Sequence, residues 1–151
     1  MLLGALVDAG VSLELLQQTS RALGIGAELD IHAVDRSGIR SMKIDVRVGG
    51  RLAESAEHDH HPHAHDHGEH DHSHTHDHEH AHTHGRNWRQ IRELITGAPL
   101  GDDAKALALR AFEALAEAEG KIHGVPADEV HFHEVGGVDA ITDVVCCAVG
   151  L

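Results

Sequence analysis

The chain has 151 residues and a formal charge of −13 with its eighteen histidines neutral. At pH 7 about a quarter of free imidazoles are protonated, which returns about +4 and leaves the chain acidic. There is no Lys/Arg-rich stripe, no basic signal-type start and no apolar run long enough to span a bilayer. The balance weighs against nucleic acid and membrane as partners and leaves one modest domain.

From Met1 the sequence MLLGALVDAG predicts helix interior without an N-cap of its own. A second helix is predicted from Ser12, a capping side chain, to Leu23. Leu13, Leu16 and Leu23 lie along one stripe, and Gly24 is its stop. The period then changes to two. Leu29, Ile31 and Ala33 alternate with Glu28, Asp30 and His32; Met42, Ile44, Val46 and Val48 alternate with Lys43, Asp45 and Arg47. Asp35-Arg36-Ser37-Gly38 offers a turn between them, so a hairpin with one buried face is expected. His32 falls on the polar face, as a surface histidine.

Gly49-Gly50 opens a linker that runs to Gly85. Fourteen histidines crowd its length: His58, His60, His61, His63, His65, His67, His70, His72, His74, His76, His78, His80, His82 and His84. Aspartate and glutamate stand between many of them. Polarity without periodicity predicts disorder in the absence of metal. Imidazole nitrogens bind borderline ions such as nickel, zinc and copper. A flexible chain of them can wrap many alternative ligand sets, whereas a catalytic site fixes few ligands in one geometry. The tract therefore reads as metal capture, storage or delivery. A solubilising linker is the plainer reading.

Beyond the tract, Asn87 and Gln90 have capping-box spacing, and Trp88, Ile91, Leu94 and Ile95 make an apolar stripe ended by Gly97-Ala98-Pro99. A long helix is predicted from about Asp102 to Lys121. Ala104, Leu107, Ala108, Ala111, Leu115, Ala118 and Ile122 supply its apolar spacing, and Gly124 and Pro126 its stop. Trp88 and Phe112 are expected in the core. A third strand is expected around Val130–Glu134, and Asp139 is expected to open a last helix. Cys146 and Cys147 in that helix read as small apolar residues, and so few cysteines fit a reducing cytoplasm. The expected fold class is α+β, a hairpin plus one further strand packed with helices. Residues 1–50 and 86–151 form one domain, and residues 51–85 interrupt it as a disordered His-rich insertion.

Two groups outside the tract carry chemistry. In a strand, His131 and His133 would leave one face about 7 Å apart while Val130 and Phe132 face the core. With Glu134 they suit metal ligation, or a general base with its orienting partner; exposed histidines on a polar face are equally compatible. Asp139 and Asp143 lie one helical turn apart on one face. They read as a site, or as one helix-dipole charge and one solvated carboxylate.

The segments HFHEVGGVDAITDVV, SGIRSMKIDV and MLLGALVDAGV, with a His-rich insertion between them, resemble the LarC family. These are the nickel insertion proteins for the nickel-pincer nucleotide cofactor of lactate racemase. The resemblance runs over nearly the whole chain outside the tract but covers only the N-terminal portion of the family's usual length. It implies a lyase-type cyclometallase that places nickel into pyridinium-3,5-bisthiocarboxylic acid mononucleotide, a nucleotide-type precursor. It also implies CTP hydrolysis with magnesium or manganese, carried by a C-terminal portion outside this chain, so the chain alone is not expected to be active. Partners implied are nickel, the precursor, that C-terminal portion and the lactate racemase apoprotein. Forming a nickel–carbon bond removes a ring proton, so a base beside the metal is needed. His131, His133 and Glu134 match the family motif as ligands or base, and Asp139 and Asp143 match as second choices. Asp8 also matches, without an evident chemistry. The alternative function is a non-enzymatic nickel or zinc chaperone, or a metal store.

Overall fold

The computed structural model describes residues 2–53 and 85–151; the tract histidines, and the disorder expected of them, lie outside the described residues. The architecture is α+β. Helices α1 (Leu2–Asp8) and α2 (Leu13–Ala22) precede strands β1 (Ala27–Arg36), β2 (Ile39–Val48) and β3 (Arg51–Leu52). Helices α3 (Trp88–Gly97) and α4 (Asp102–His123), a short 3-10 turn (Ala127–Glu129) and helix α5 (Val138–Gly150) follow.

Local chemistry accounts for most boundaries. The Ser12 hydroxyl accepts from Leu15 N at 3.4 Å, and Gly24 turns the chain with φ 66°. Strands β1 and β2 pair antiparallel from Ala27↔Val48 to Arg36↔Ile39. Only Ser37 and Gly38 remain between them, both at positive φ, as a tight two-residue hairpin turn demands. Asp35 Oδ1 accepts from Gly38 N and braces that turn. Asn87 and Gln90 form the expected capping box.

Three expectations need correction. Gly49-Gly50 does not begin the linker. With φ of 57° and 79° the two glycines make a second tight turn, and Arg51–Leu52 return along β2 in the sheet order β1-β2-β3. The third strand is therefore β3. The Val130–Glu134 segment forms only one bridge, Asn87↔His131, because tight bends follow it at once. The third correction concerns α4, which buries Ala108, Phe112, Ala116 and Gly120 and leaves Leu115 and Ile122 exposed. Phe112 is the largest group on the helix, so burial follows its face.

Helix α5 is the hub. Ile141, Val145 and Ala148 join Trp88, Ile91, Ile95 and Phe112 in the main core. Cys146 packs with Leu3, Leu6 and Leu16 in a second cluster that Leu29 and Ile44 of the sheet cover. A third cluster joins Ala27, Val46 and Ala53, with Val138 packed against it. Gly4 lets α1 lie directly on β2, since a Cβ there would strike the Met42 carbonyl.

Candidate functional site

Val130 and Phe132 are buried, Phe132 completely, and the Phe132 ring sits 6.2 Å from Phe112, which stacks on Trp88. Alternation then throws His131 and His133 outward. Both are exposed, with ring centroids 5.6 Å apart and planes nearly perpendicular. Two imidazoles on one ion, with metal–nitrogen bonds of about 2.0–2.1 Å, have centroids about 5 Å apart. The observed separation is within about 1 Å of that spacing.

The chain returning from the tract is laid against this loop by backbone contacts. Arg86 N donates to Gly136 O at 3.2 Å, Phe132 N to Arg86 O at 3.3 Å, and Trp88 N to Val130 O at 3.1 Å. The approach is so close that only glycine fits at two points. A Cβ on Gly85 would collide with the Phe132 and His133 carbonyls, and one on Gly136 would come 2.5 Å from Arg86 N. The residue after His84 is therefore fixed beside His133.

Gly137 leads straight into α5, which carries Asp139 in its first turn and Asp143 in the next. Both face a cleft of about 230 Å³ with Arg36, Lys43, Ile44, Asp45, Val46 and Leu52. Ligand pockets commonly measure about 300–1,000 Å³, so this cleft suits an ion or one edge of a larger molecule. Asp139 Oδ1 is buried with no hydrogen-bond partner among the described residues. Burial pushes the Asp143 carboxyl above the usual carboxylate range, and the Asp139 charge pushes the same way. Opposite them Lys43 Nζ pairs with Asp45 at 2.7 Å, and His32 Nε2 lies 3.8 Å from Asp45.

Two half-sites thus sit within one short segment, an exposed imidazole pair and a half-buried carboxylate pair. His131, His133 and Glu134 are exposed, whereas Asp139 and Asp143 turn into the cleft. Among the described residues no three His, Cys, Asp or Glu side chains converge as a ready metal cage. Sequence reasoning missed Lys43, Asp45 and Arg36, because only the fold brings β2 to the start of α5. Asp45 belongs to the strand's polar face, yet its side chain is 17% exposed.

The remaining candidates are structural. Cys146 is fully buried, its Sγ donates to Leu16 O, and burial pushes its thiol up to about 12. The Cys147 thiol is raised for the same reason. Asp8 accepts from Met42 N at 3.0 Å and so ties α1 to β2. His32 is a surface histidine, as expected.

A nickel insertion protein family model matches residues 1–151. The chain belongs to that family. It is 38% identical to the pyridinium-3,5-bisthiocarboxylic acid mononucleotide nickel insertion protein of Alkaliphilus metalliredigens, covering 100% of this chain and 33% of that protein. The proteins of that name from Geobacillus kaustophilus and a Nocardioides species are also 38% identical. Those matches cover 100% and 95% of this chain and 32% and 29% of theirs. The chain spans about a third of the length of the curated relatives it matches. No solved structure matches it. No helix among the described residues is long and apolar enough to cross a membrane.

Proposed function

We propose that the chain is the N-terminal, nickel-handling region of a nickel insertion enzyme. The enzyme delivers nickel into pyridinium-3,5-bisthiocarboxylic acid mononucleotide and so builds the nickel-pincer cofactor of lactate racemase. CTP hydrolysis, with magnesium or manganese, belongs to a C-terminal portion of the longer protein, and the setting is the cytoplasm. The relatives' names support the substrate class. One observation carries the division of labour: the tract's exit at Gly85 is pinned against the His131–His133 loop. Nickel held by the tract then needs only short ligand exchanges to reach the imidazole pair.

Nickel is the substrate here. His131 and His133 receive it, with Glu134 beside them. As nickel bonds to the ring carbon, the carbon's proton leaves to a base. His131, His133 and Glu134 are the first candidates for that base as well as for ligation, and Asp143, whose carboxyl burial pushes above the usual carboxylate range, is a second candidate. Asp139 shares the same cleft.

The test is complementation of a strain lacking the family member by the full-length protein carrying His131→Ala and His133→Ala. Loss of lactate racemase activation is expected, and unchanged activation sinks the site assignment. The tract itself favours a second reading, a non-enzymatic nickel or zinc chaperone or store. If tract deletion spares insertion at ample nickel and impairs it only at scarce nickel, the tract is a feeder. Loss of all function at any nickel level favours the store.

A further inference from the structure

The cleft between β2 and α5 holds one buried side-chain atom that the fold leaves unpaired. Asp139 Oδ1 has no hydrogen-bond partner among the described residues. A carboxylate only accepts, and an unpaired buried acceptor is costly, so this wall of the cleft is built for a donor. The two cations of the cleft differ in the same way. Lys43 is engaged by Asp45 at 2.7 Å. Arg36 is exposed and forms no ion pair among the described residues. Strand alternation puts Arg36 on the face that His32 shares with Lys43, so its charge belongs to the same surface.

We infer that this cleft seats the ribose and phosphate of the pyridinium mononucleotide, with Asp139 accepting from a ribose hydroxyl and Arg36 gripping the phosphate. The inference rests on the substrate proposed above. A ribose hydroxyl is the donor that a carboxylate at such a wall takes up. The planar guanidinium matches phosphate through paired hydrogen bonds. Charge sets the direction of the ligand. Asp139 and Asp143 on α5 repel phosphate, which goes to the Arg36 side, and they attract the cationic ring toward α5. At about 230 Å³ the cleft takes only part of the molecule. A bare divalent ion fits less well, because no three carboxylates converge among the described residues and two cations line the cleft.

The probe is nicotinic acid mononucleotide, a pyridinium carboxylate with the same ribose and phosphate, titrated calorimetrically into the 151-residue chain in a chelating buffer. Binding is expected. Arg36→Ala and Asp139→Ala are each expected to weaken it about tenfold or more, as the loss of a charge-assisted hydrogen bond does. Arg40→Ala, an exposed arginine across the hairpin turn and outside the cleft lining, is expected to leave it unchanged. The riboside without phosphate is expected to bind more weakly and to ignore Arg36→Ala. Cytidine monophosphate, whose base is neutral, is also expected to bind more weakly. Circular dichroism checks folding, and if Asp139→Ala unfolds, Arg36→Ala decides alone. No binding to the wild type, affinity indifferent to Arg36→Ala, or equal affinity for cytidine monophosphate overturns the inference. The titration contains no nickel, so its failure leaves the His131–His133 assignment to the complementation test, which can fail independently.

Discussion

Gly136→Ala tests the seat of the imidazole pair. The new methyl would lie 2.5 Å from Arg86 N and 2.7 Å from both Arg86 O and Phe132 O. All three are backbone atoms, so no side chain can swing aside. Overpacking of this kind costs about 1–3 kcal/mol. The displacement also strains the Arg86–Gly136 and Phe132–Arg86 hydrogen bonds, each worth about 1 kcal/mol. A loss of about 2–4 kcal/mol is expected, read by urea unfolding in the presence of a chelator. Gly97→Ala is the control. It closes α3 with no atom within 4 Å of the added carbon, and a gain of up to about 1 kcal/mol is expected. A Gly136→Ala protein within about 0.5 kcal/mol of wild type would refute the tight seating of the loop.

Asp143 supplies a pH signature. Its carboxyl pKa is raised in the folded state, so folding is favoured below the unfolded value and loses stability as pH rises through the folded one. Asp143→Asn is expected to melt higher than wild type at pH 7, with the gap closing as pH falls toward about 4; a gap independent of pH would contradict the burial argument. Asn87→Ala removes the capping-box bond that Gln90 N donates to the Asn87 side chain, leaves the one from the residue-87 backbone N–H to Gln90 Oε1, and is expected to cost about 1 kcal/mol in urea unfolding. No change would mean that the Trp88 and His131 contacts alone hold the start of α3. Nickel loading of the tract is expected to fall as pH drops through about 6.5, because protonated imidazole cannot ligate. Flat loading between pH 8 and 5 in a calorimetric titration would contradict it.

The sequence was most legible where a local rule decides the outcome. The Ser12 cap, the Ser37-Gly38 turn and the Asn87–Gln90 box each need only neighbours. Legibility failed where the partner is distant. Alanine-rich α4 offers two nearly equivalent stripes, and only Phe112 meeting Phe132 and Trp88 selects between them. The outward pair His131 and His133 was legible from alternation with Val130 and Phe132, although no regular strand forms. The cleft was not legible, because Lys43 and Asp45 meet Asp139 and Asp143 across nearly a hundred residues of chain. Gly49-Gly50 misled because a glycine pair signals a linker and a tight turn alike.

The two ends of the His-rich insertion return to one neighbourhood. Ala53 is buried in the cluster against which Val138 packs, and Arg86 is bonded to Gly136, two residues earlier. Closing a loop costs only about 0.6 kcal/mol more for each doubling of its length. Histidines can therefore be added or lost between these fixed points with little effect on the domain's thermodynamics. If the tract feeds nickel to the domain as proposed, how much nickel the protein holds and what it does with each ion become separately adjustable quantities in evolution and in engineering.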